Sequence, residues 1–222
     1  MRNFTLLACA FLFSISVHAQ FSAGNKLIGG NLYFTGANNS SSASPGTEQQ
    51  TSFAAFDLSL MRFRTPASLA GFGLSAGYSR YRTTDGTIPF DTYSSGYNFG
   101  AFFNWTRLEP LASRFYMALT GSVNAQYNFG QIDNSSSVQY THYNGYSTAV
   151  AGALGVWYSM HPRLLFTCDL NNLITLAYSH NVHDSYSGAT LVTAKQSSFT
   201  FRSGLGGFSL NNLSVGIRYL LK

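Results

Sequence analysis

The chain has 222 residues, with 13 Lys or Arg against 8 Asp or Glu, a formal net charge of +5, and 14 Tyr, 19 Phe and 2 Trp. Charged residues make up 9%, against about a quarter in an average soluble domain, which is too few to keep an ordinary surface of this size dissolved. The aromatic content excludes disorder, and a mean hydropathy near zero, with no run of about twenty apolar residues beyond the N-terminus, excludes a polytopic helical membrane protein.

Residues 1–19 read as a secretory signal peptide. Arg2 and Asn3 form a positive start, Phe4 to Val17 an apolar stretch, and Val17-His18-Ala19 a small-residue cleavage motif that leaves Gln20 first. A retained anchor would need a longer apolar run. Leu6-Leu7-Ala8-Cys9 faintly resembles a lipoprotein cleavage box, but cutting there leaves almost no apolar segment to recognise. The mature chain, 20–222, reads as one domain. Cys9 leaves with the signal, so Cys168 stands alone and no thiol-based metal site or internal disulfide is expected. The basic residues form no cluster, so no nucleic-acid partner is expected.

From there onward the dominant signal has period two. Ile28, Gly30, Leu32 and Phe34 oppose Asn31, Tyr33 and Thr35; Ala54, Phe56, Leu58 and Leu60 oppose Ala55, Asp57 and Ser59; Phe72 to Tyr78 continue it on even positions. Tyr97, Phe99, Ala101, Phe103 and Trp105 follow on odd positions. The clearest stretch is Arg114 to Phe129, whose odd positions run Phe115, Met117, Leu119, Gly121, Val123, Ala125, Tyr127, Phe129 and whose even positions are mostly polar. Val150 to Tyr158, Leu164 to Leu170 with Ile174 to Tyr178, and Leu213 to Leu221 complete the set. Each is a strand with one apolar and one polar face, and eight strands are expected.

Connections alternate between long and short. Asn38 to Gln50, Arg82 to Ser95, Gln131 to Asn144 and Asn181 to Ser197 are long and rich in Ser, Asn, Gly and Thr. Thr65-Pro66-Ala67-Ser68, Leu108-Glu109-Pro110-Leu111 and Met160-His161-Pro162-Arg163 are short, each with a Pro that cannot donate to a ladder. An antiparallel meander of this kind is the organisation of an up-and-down transmembrane β-barrel with long extracellular loops and short periplasmic turns. In hydrocarbon, a sheet survives only if its first and last strands pair. A secreted β-sandwich also alternates, but its outer faces would have to stay soluble with very few charges. Tyr78, Tyr97, Phe99, Tyr127 and Phe129 fall at loop-side strand ends, and Trp105, Phe115 and Tyr219 at turn-side ends, matching the two aromatic belts of a membrane barrel.

The exported start, the opening strand Leu27-Ile28-Gly29-Gly30-Asn31-Leu32 and the closing segment from Ser198-Phe199 to Asn212-Leu213-Ser214-Val215-Gly216-Ile217-Arg218-Tyr219 resemble the small eight-stranded bacterial outer membrane proteins of the OmpA/OmpX-like β-barrel superfamily. The resemblance implies residence in the outer membrane lipid, a monomer, and a C-terminal assembly signal read by the outer-membrane assembly machinery. Gly216, Tyr219 and Leu221 match that signal, while Val215 stands at its polar place and Lys222 follows where an aromatic terminus is common. Gly204, Gly206 and Gly207 suggest a bulge extending the last strand above the bilayer.

By the alternation Asp57, Arg114, Asp169 and Arg218 point into a lumen that, for eight strands, side chains just fill. They are expected to pair or hydrogen-bond with Asn98, Asn104, Asn124 and Asn171, with Asp169 and Arg218 as the direct couple. Such a network is either a polar plug that fixes the barrel or the gate of a narrow porin-like conduit for small solutes; the plug is the simpler reading. His183-Asp184-Ser185 has a His-x-Ser spacing seen in outer-membrane lipid A deacylases but lies in a polar loop, so no enzyme is expected. His180 and His183 lack an obvious third ligand, and no cofactor or metal is expected. The Tyr-rich loop stretch Tyr140 to Tyr146 offers a surface for an extracellular ligand or protein. The expected role is therefore structural or surface-interacting, around a lumen filled by polar side chains.

Overall fold

A computed structural model describes residues 21–40, 48–84, 91–134, 139–187, 190–203 and 213–221. The signal peptide, Gly204, Gly206 and Gly207, and Lys222 lie outside them. Nine strands are found among the described residues: β1 (Lys26–Ser40), β2 (Glu48–Thr65), β3 (Ser68–Thr84), β4 (Asp91–Ala112), β5 (Phe115–Asn134), β6 (Gln139–His161), β7 (Leu164–Ser187), β8 (Thr190–Ser203) and β9 (Leu213–Leu221). Each pairs antiparallel with the next as far as β7. β9 then pairs on one side with β7, from Leu164↔Tyr219 to Leu170↔Leu213, and on the other with β1, from Lys26↔Leu221 to Tyr33↔Ser214. The circuit β1 to β7, β9 and back to β1 is thus a closed ring, and its lower half has no sheet edge.

The last strand position is shared between two strands. β8 pairs with the upper half of β7, from Ile174↔Ser203 to Ser187↔Thr190, directly above the stretch of β7 that β9 occupies. Among the described residues, β1 beyond Tyr33 pairs only with β2, and β8 only with β7.

The strands run well into the segments expected to be long loops. β1 ends at Ser40 and β2 starts at Glu48; β5 ends at Asn134 and β6 starts at Gln139; β7 continues to Ser187. Ser, Asn and Thr do not interrupt a ladder whose pairing is made by the backbone and whose two faces can both meet water. One turn also moves. β4 passes through Pro110 to Ala112, and the register with β5 slips between Pro110 and Ala112. That irregularity accommodates the missing proline N–H, and the turn falls at Ser113-Arg114.

Burial follows the alternation, with its usual sense reversed. Large apolar side chains on one face of every ring strand stay exposed, among them Leu32, Leu58, Phe72, Phe99, Trp105, Val123, Val150, Leu176 and Ile217. Facing inward and buried are Asn31, Asp57, Ser59, Thr106, Thr167, Asp169, Ser214 and Arg218. On the outside, Tyr78 meets Tyr97 at 5.1 Å, Tyr97 meets Phe129 at 5.6 Å, and Tyr146 meets Tyr178 at 6.2 Å, a ribbon of rings toward the loop side.

The turn end of the interior is not polar. Leu27, Met61, Phe63, Leu69, Leu108, Tyr116, Ala118, Trp157, Leu165 and Leu220 form one buried cluster there with Phe21. Residues ahead of β1 fold beneath it: Gly24 N–H donates to the Phe63 carbonyl and Phe63 N–H to that of Asn25, both at 2.9 Å. This places the Phe21 ring on Phe63, 4.6 Å apart and 13° from parallel, with Tyr116 at 5.3 Å. The expectation of a lumen filled by polar side chains is corrected here: its floor is an apolar layer, where dispersion and water exclusion replace hydrogen bonds.

Candidate functional site: the lumenal charge cluster and its cavity

Immediately above the floor, the register places Asn31 of β1 between Asp57 of β2 and Gly216 of β9, with Gly216 in turn opposite Thr167 of β7. Asn31 organises the cluster. Its backbone N–H donates to Asp57 Oδ1 at 3.1 Å and its side-chain amide to Asp57 Oδ2 at 3.2 Å. The Tyr33 hydroxyl donates to that same Oδ2. Asn31 Oδ1 accepts from Thr167 Oγ1 at 3.3 Å and from Arg218 Nη2 at 3.4 Å. Both ends of the asparagine amide are therefore used, as a buried amide requires.

Arg218, 4% exposed, donates through Nη1 to Ser59 Oγ at 3.0 Å and touches Met61 Sδ at 3.7 Å. Its Nε has no partner among the described residues. The guanidinium lies 4.8 Å from the centre of the Trp157 ring, and Trp157 Nε1 donates to Asp169 Oδ1 at 3.0 Å. Arg218 and Asp169 are consequently joined through the indole and not as the expected direct couple. Among the described residues the ion pair is instead Arg107–Glu109 at 2.6 Å, on an exposed stretch of β4.

Two glycines make the room. A Cβ on Gly216 would sit 2.0 Å from Asn31 Oδ1 and 2.8 Å from Thr167 Oγ1, and one on Gly155 would sit 1.8 Å from Asp169 Oδ1. Gly216, noted in the sequence as part of an assembly signal, thus has a packing role of its own. Tyr219 and Leu221 of that signal face outward on β9 and are exposed.

Of the four charges read as lumenal, Asp57, Asp169 and Arg218 come together. Arg114 does not: it is exposed in the turn between β4 and β5, where its carbonyl accepts from Ser159 N–H at 2.8 Å. It lies one residue before the start of β5, and a turn residue has no inward face. Asn98, Asn104, Asn124 and Asn171 do not hold the charged side chains; they line a cavity of about 240 Å³ above them, together with Thr106, Gln126, Phe53 and Phe102. Asn171 Nδ2 donates to Ser214 Oγ at 2.8 Å and to the Asp169 carbonyl at 3.4 Å. The site residues that sequence reasoning misses are Asn31, Tyr33, Ser59 and Trp157. Asn31 and Tyr33 fall on the polar face of the alternation, and pairing the first strand with both the second and the last would set Asn31 beside Asp57 and near Arg218.

The remaining candidates are scattered. Asp184 accepts from Thr193 Oγ1 at 2.7 Å, Ser185 bonds Thr141 at 3.0 Å, and the His183 ring lies 6.1 Å from Tyr143, so the His-x-Ser pair is engaged elsewhere. His180 bonds Ser197 at 2.8 Å. In the tyrosine-rich stretch, which is strand and not loop, Tyr143 donates inward to the Ser95 carbonyl at 3.4 Å, while Tyr146 stacks outside near His180.

No protein-family model matches the chain, and no curated protein matches it. Solved structures similar to it include two outer membrane proteins. A major outer membrane protein from Thermus thermophilus shares 11% identity at a TM-score of 0.48, covering 90% of this chain and 100% of that one. The outer membrane protein AlkL, solved in DMPC lipid bilayers, shares 12% at 0.43, covering 91% and 92%. The ferric yersiniabactin uptake receptor FyuA from Yersinia pestis shares 10% at 0.34, covering 82% of this chain and 28% of the receptor.

Proposed function

We propose that the chain is an integral β-barrel protein of a bacterial outer membrane. In this reading it is exported by residues 1–19, inserted as a monomer by the outer-membrane assembly machinery through a signal containing Gly216, Tyr219 and Leu221, and acts as a structural or surface-interacting barrel, not as an enzyme. The eight strand positions are β1 to β7 and a last one shared by β8 and β9. The carrying observation is the reversed burial: Phe72 and Leu74 are 71% and 67% exposed on the outer face while Asp57, Asp169 and Arg218 are buried inside. In water that arrangement would leave a continuous apolar girdle wet; in hydrocarbon it is the favourable one, since the closed lower ring satisfies its backbone internally and lipid takes up the side chains.

The two tryptophans test this. Trp105 is 52% exposed on the outer face and Trp157 is 1% exposed inside. In vesicles of lipids brominated along their acyl chains, the Trp157→Phe protein, which retains Trp105, should be strongly quenched and the Trp105→Phe protein should not. Equal quenching of both, or of neither, refutes the reading.

The second reading, a narrow conduit for small solutes, is favoured by the polar cavity, but the Phe21–Phe63–Tyr116 layer beneath it opposes passage. Planar bilayers containing the protein should show no resolved channel events, including after Asp169→Ala.

A further inference from the structure

The charged lining of the cavity is unequal in sign. Asp57, Asp169 and Arg218 line it along with neutral amides, hydroxyls and apolar groups, so two carboxylates face one cation. They are not equivalent. Asp57 accepts from Asn31 through both oxygens and from Tyr33 through one. Asp169 is 7% exposed and uses only Oδ1, toward Trp157. Its Oδ2 has no hydrogen-bond partner among the described residues, yet it is not sealed, unlike the fully enclosed Nε of Arg218. A carboxylate oxygen in so enclosed a side chain normally finds a donor. Arg218 is the more fully engaged of the charged groups, since its Nη atoms are directed at Ser59, Met61 and Asn31 and its Nε is enclosed.

We propose that this cavity binds a small organic cation of the alkylammonium class, its ammonium on Asp169 Oδ2 and its carbon chain toward Phe53 and Phe102. Phe102 lies along the inner wall: its ring covers Gly73, its cross-strand partner on β3, where a Cβ would collide with it. The ammonium gains a charge-assisted hydrogen bond to the carboxylate, and the carbon chain gains from burial against the two rings. The volume of about 240 Å³ equals about eight waters at about 30 Å³ each, large for a bare inorganic ion and suited to a short amine. Above it the inward face stays polar through Asn128, Ser147 and Ser79. The binding site depends on the interior of the strand ring and goes beyond the structural role proposed above.

Trp157 reports on the site because its N–H is bonded to Asp169. In the Trp105→Phe protein in detergent micelles, with folding verified by the migration of unboiled samples on electrophoresis, n-butylammonium chloride should change Trp157 emission saturably. Butan-1-ol and butyrate should not. Asp169→Asn, which keeps an acceptor for the indole, should weaken binding at least about tenfold. No saturable change, an equal response to butanol, or the same response to potassium chloride alone overturns the proposal. The comparison of isosteres on the parent protein decides even if Asp169→Asn fails to fold. Because the assay is made in micelles, its failure leaves the brominated-lipid result untouched.

Discussion

Replacing Arg218 by Met tests how the lumenal cluster is held together. Methionine keeps most of the stem against Met61 and Trp157 but removes the charge, leaving Asp57 and Asp169 buried at 7% exposure each with no facing cation. Breaking a buried charge arrangement from one side costs about 3–5 kcal/mol, and the lost contact with the Trp157 ring adds about 1 kcal/mol. With an unfolding slope of about 2 kcal/mol per molar urea, the midpoint should fall by about 2–3 M. The loss should not be additive. Asp169→Asn removes one of the two stranded carboxylates and still accepts from Trp157, so Arg218→Met with Asp169→Asn should be more stable than Arg218→Met alone, by about 1–3 kcal/mol. Urea titration of the micellar protein, followed by the loss of the folded electrophoretic form, gives all four midpoints of the cycle. A double variant no more stable than Arg218→Met would refute the claim that Arg218 compensates Asp169 across the indole.

Two further outcomes follow from packing. Phe63→Ala empties a fully buried ring position and abandons the stack on Phe21, so the same titration should register a loss of about 3–5 kcal/mol. Gly216→Ala sets a methyl carbon 2.0 Å from Asn31 Oδ1 and 2.6 Å from the Gly30 carbonyl. The purified protein should lose about 1–3 kcal/mol or more, whereas a glycine needed only as an assembly signal would leave its urea midpoint unchanged.

The outer face is readable in the sequence because it is continuous: an alternation such as Phe115 to Phe129 repeats often enough to identify every ring strand. The inward charges are readable for the same reason, except Arg114, where one step beyond the strand start breaks the parity. The apolar floor is harder to see, because at the turn ends both faces become hydrophobic, as at Leu220-Leu221 or Leu164-Leu165, and alternation then carries no information about which side is enclosed. Asn31 escapes notice as the organiser because its partners are 26, 136 and 187 residues away, at Asp57, Thr167 and Arg218; the first hairpin supplies Asp57, but only the closing register brings the other two within reach. The long segments expected to be loops read as such from their composition, yet pairing continues through them because backbone groups carry it.

That same separation along the chain orders the route by which the molecule forms. Neighbouring hairpins can zip up locally, but the bonds from Arg218 to Asn31 and Ser59 wait for residues 213–221 to arrive, and contacts of such span are entropically late. Until then Asp57 lacks its nearest cation, and β1 and β7 carry bare lower edges. The final strand thus acts as a latch: its docking closes the lower perimeter and brings the interior its guanidinium in one step, so a chain stopped short of it would stall with both defects at once.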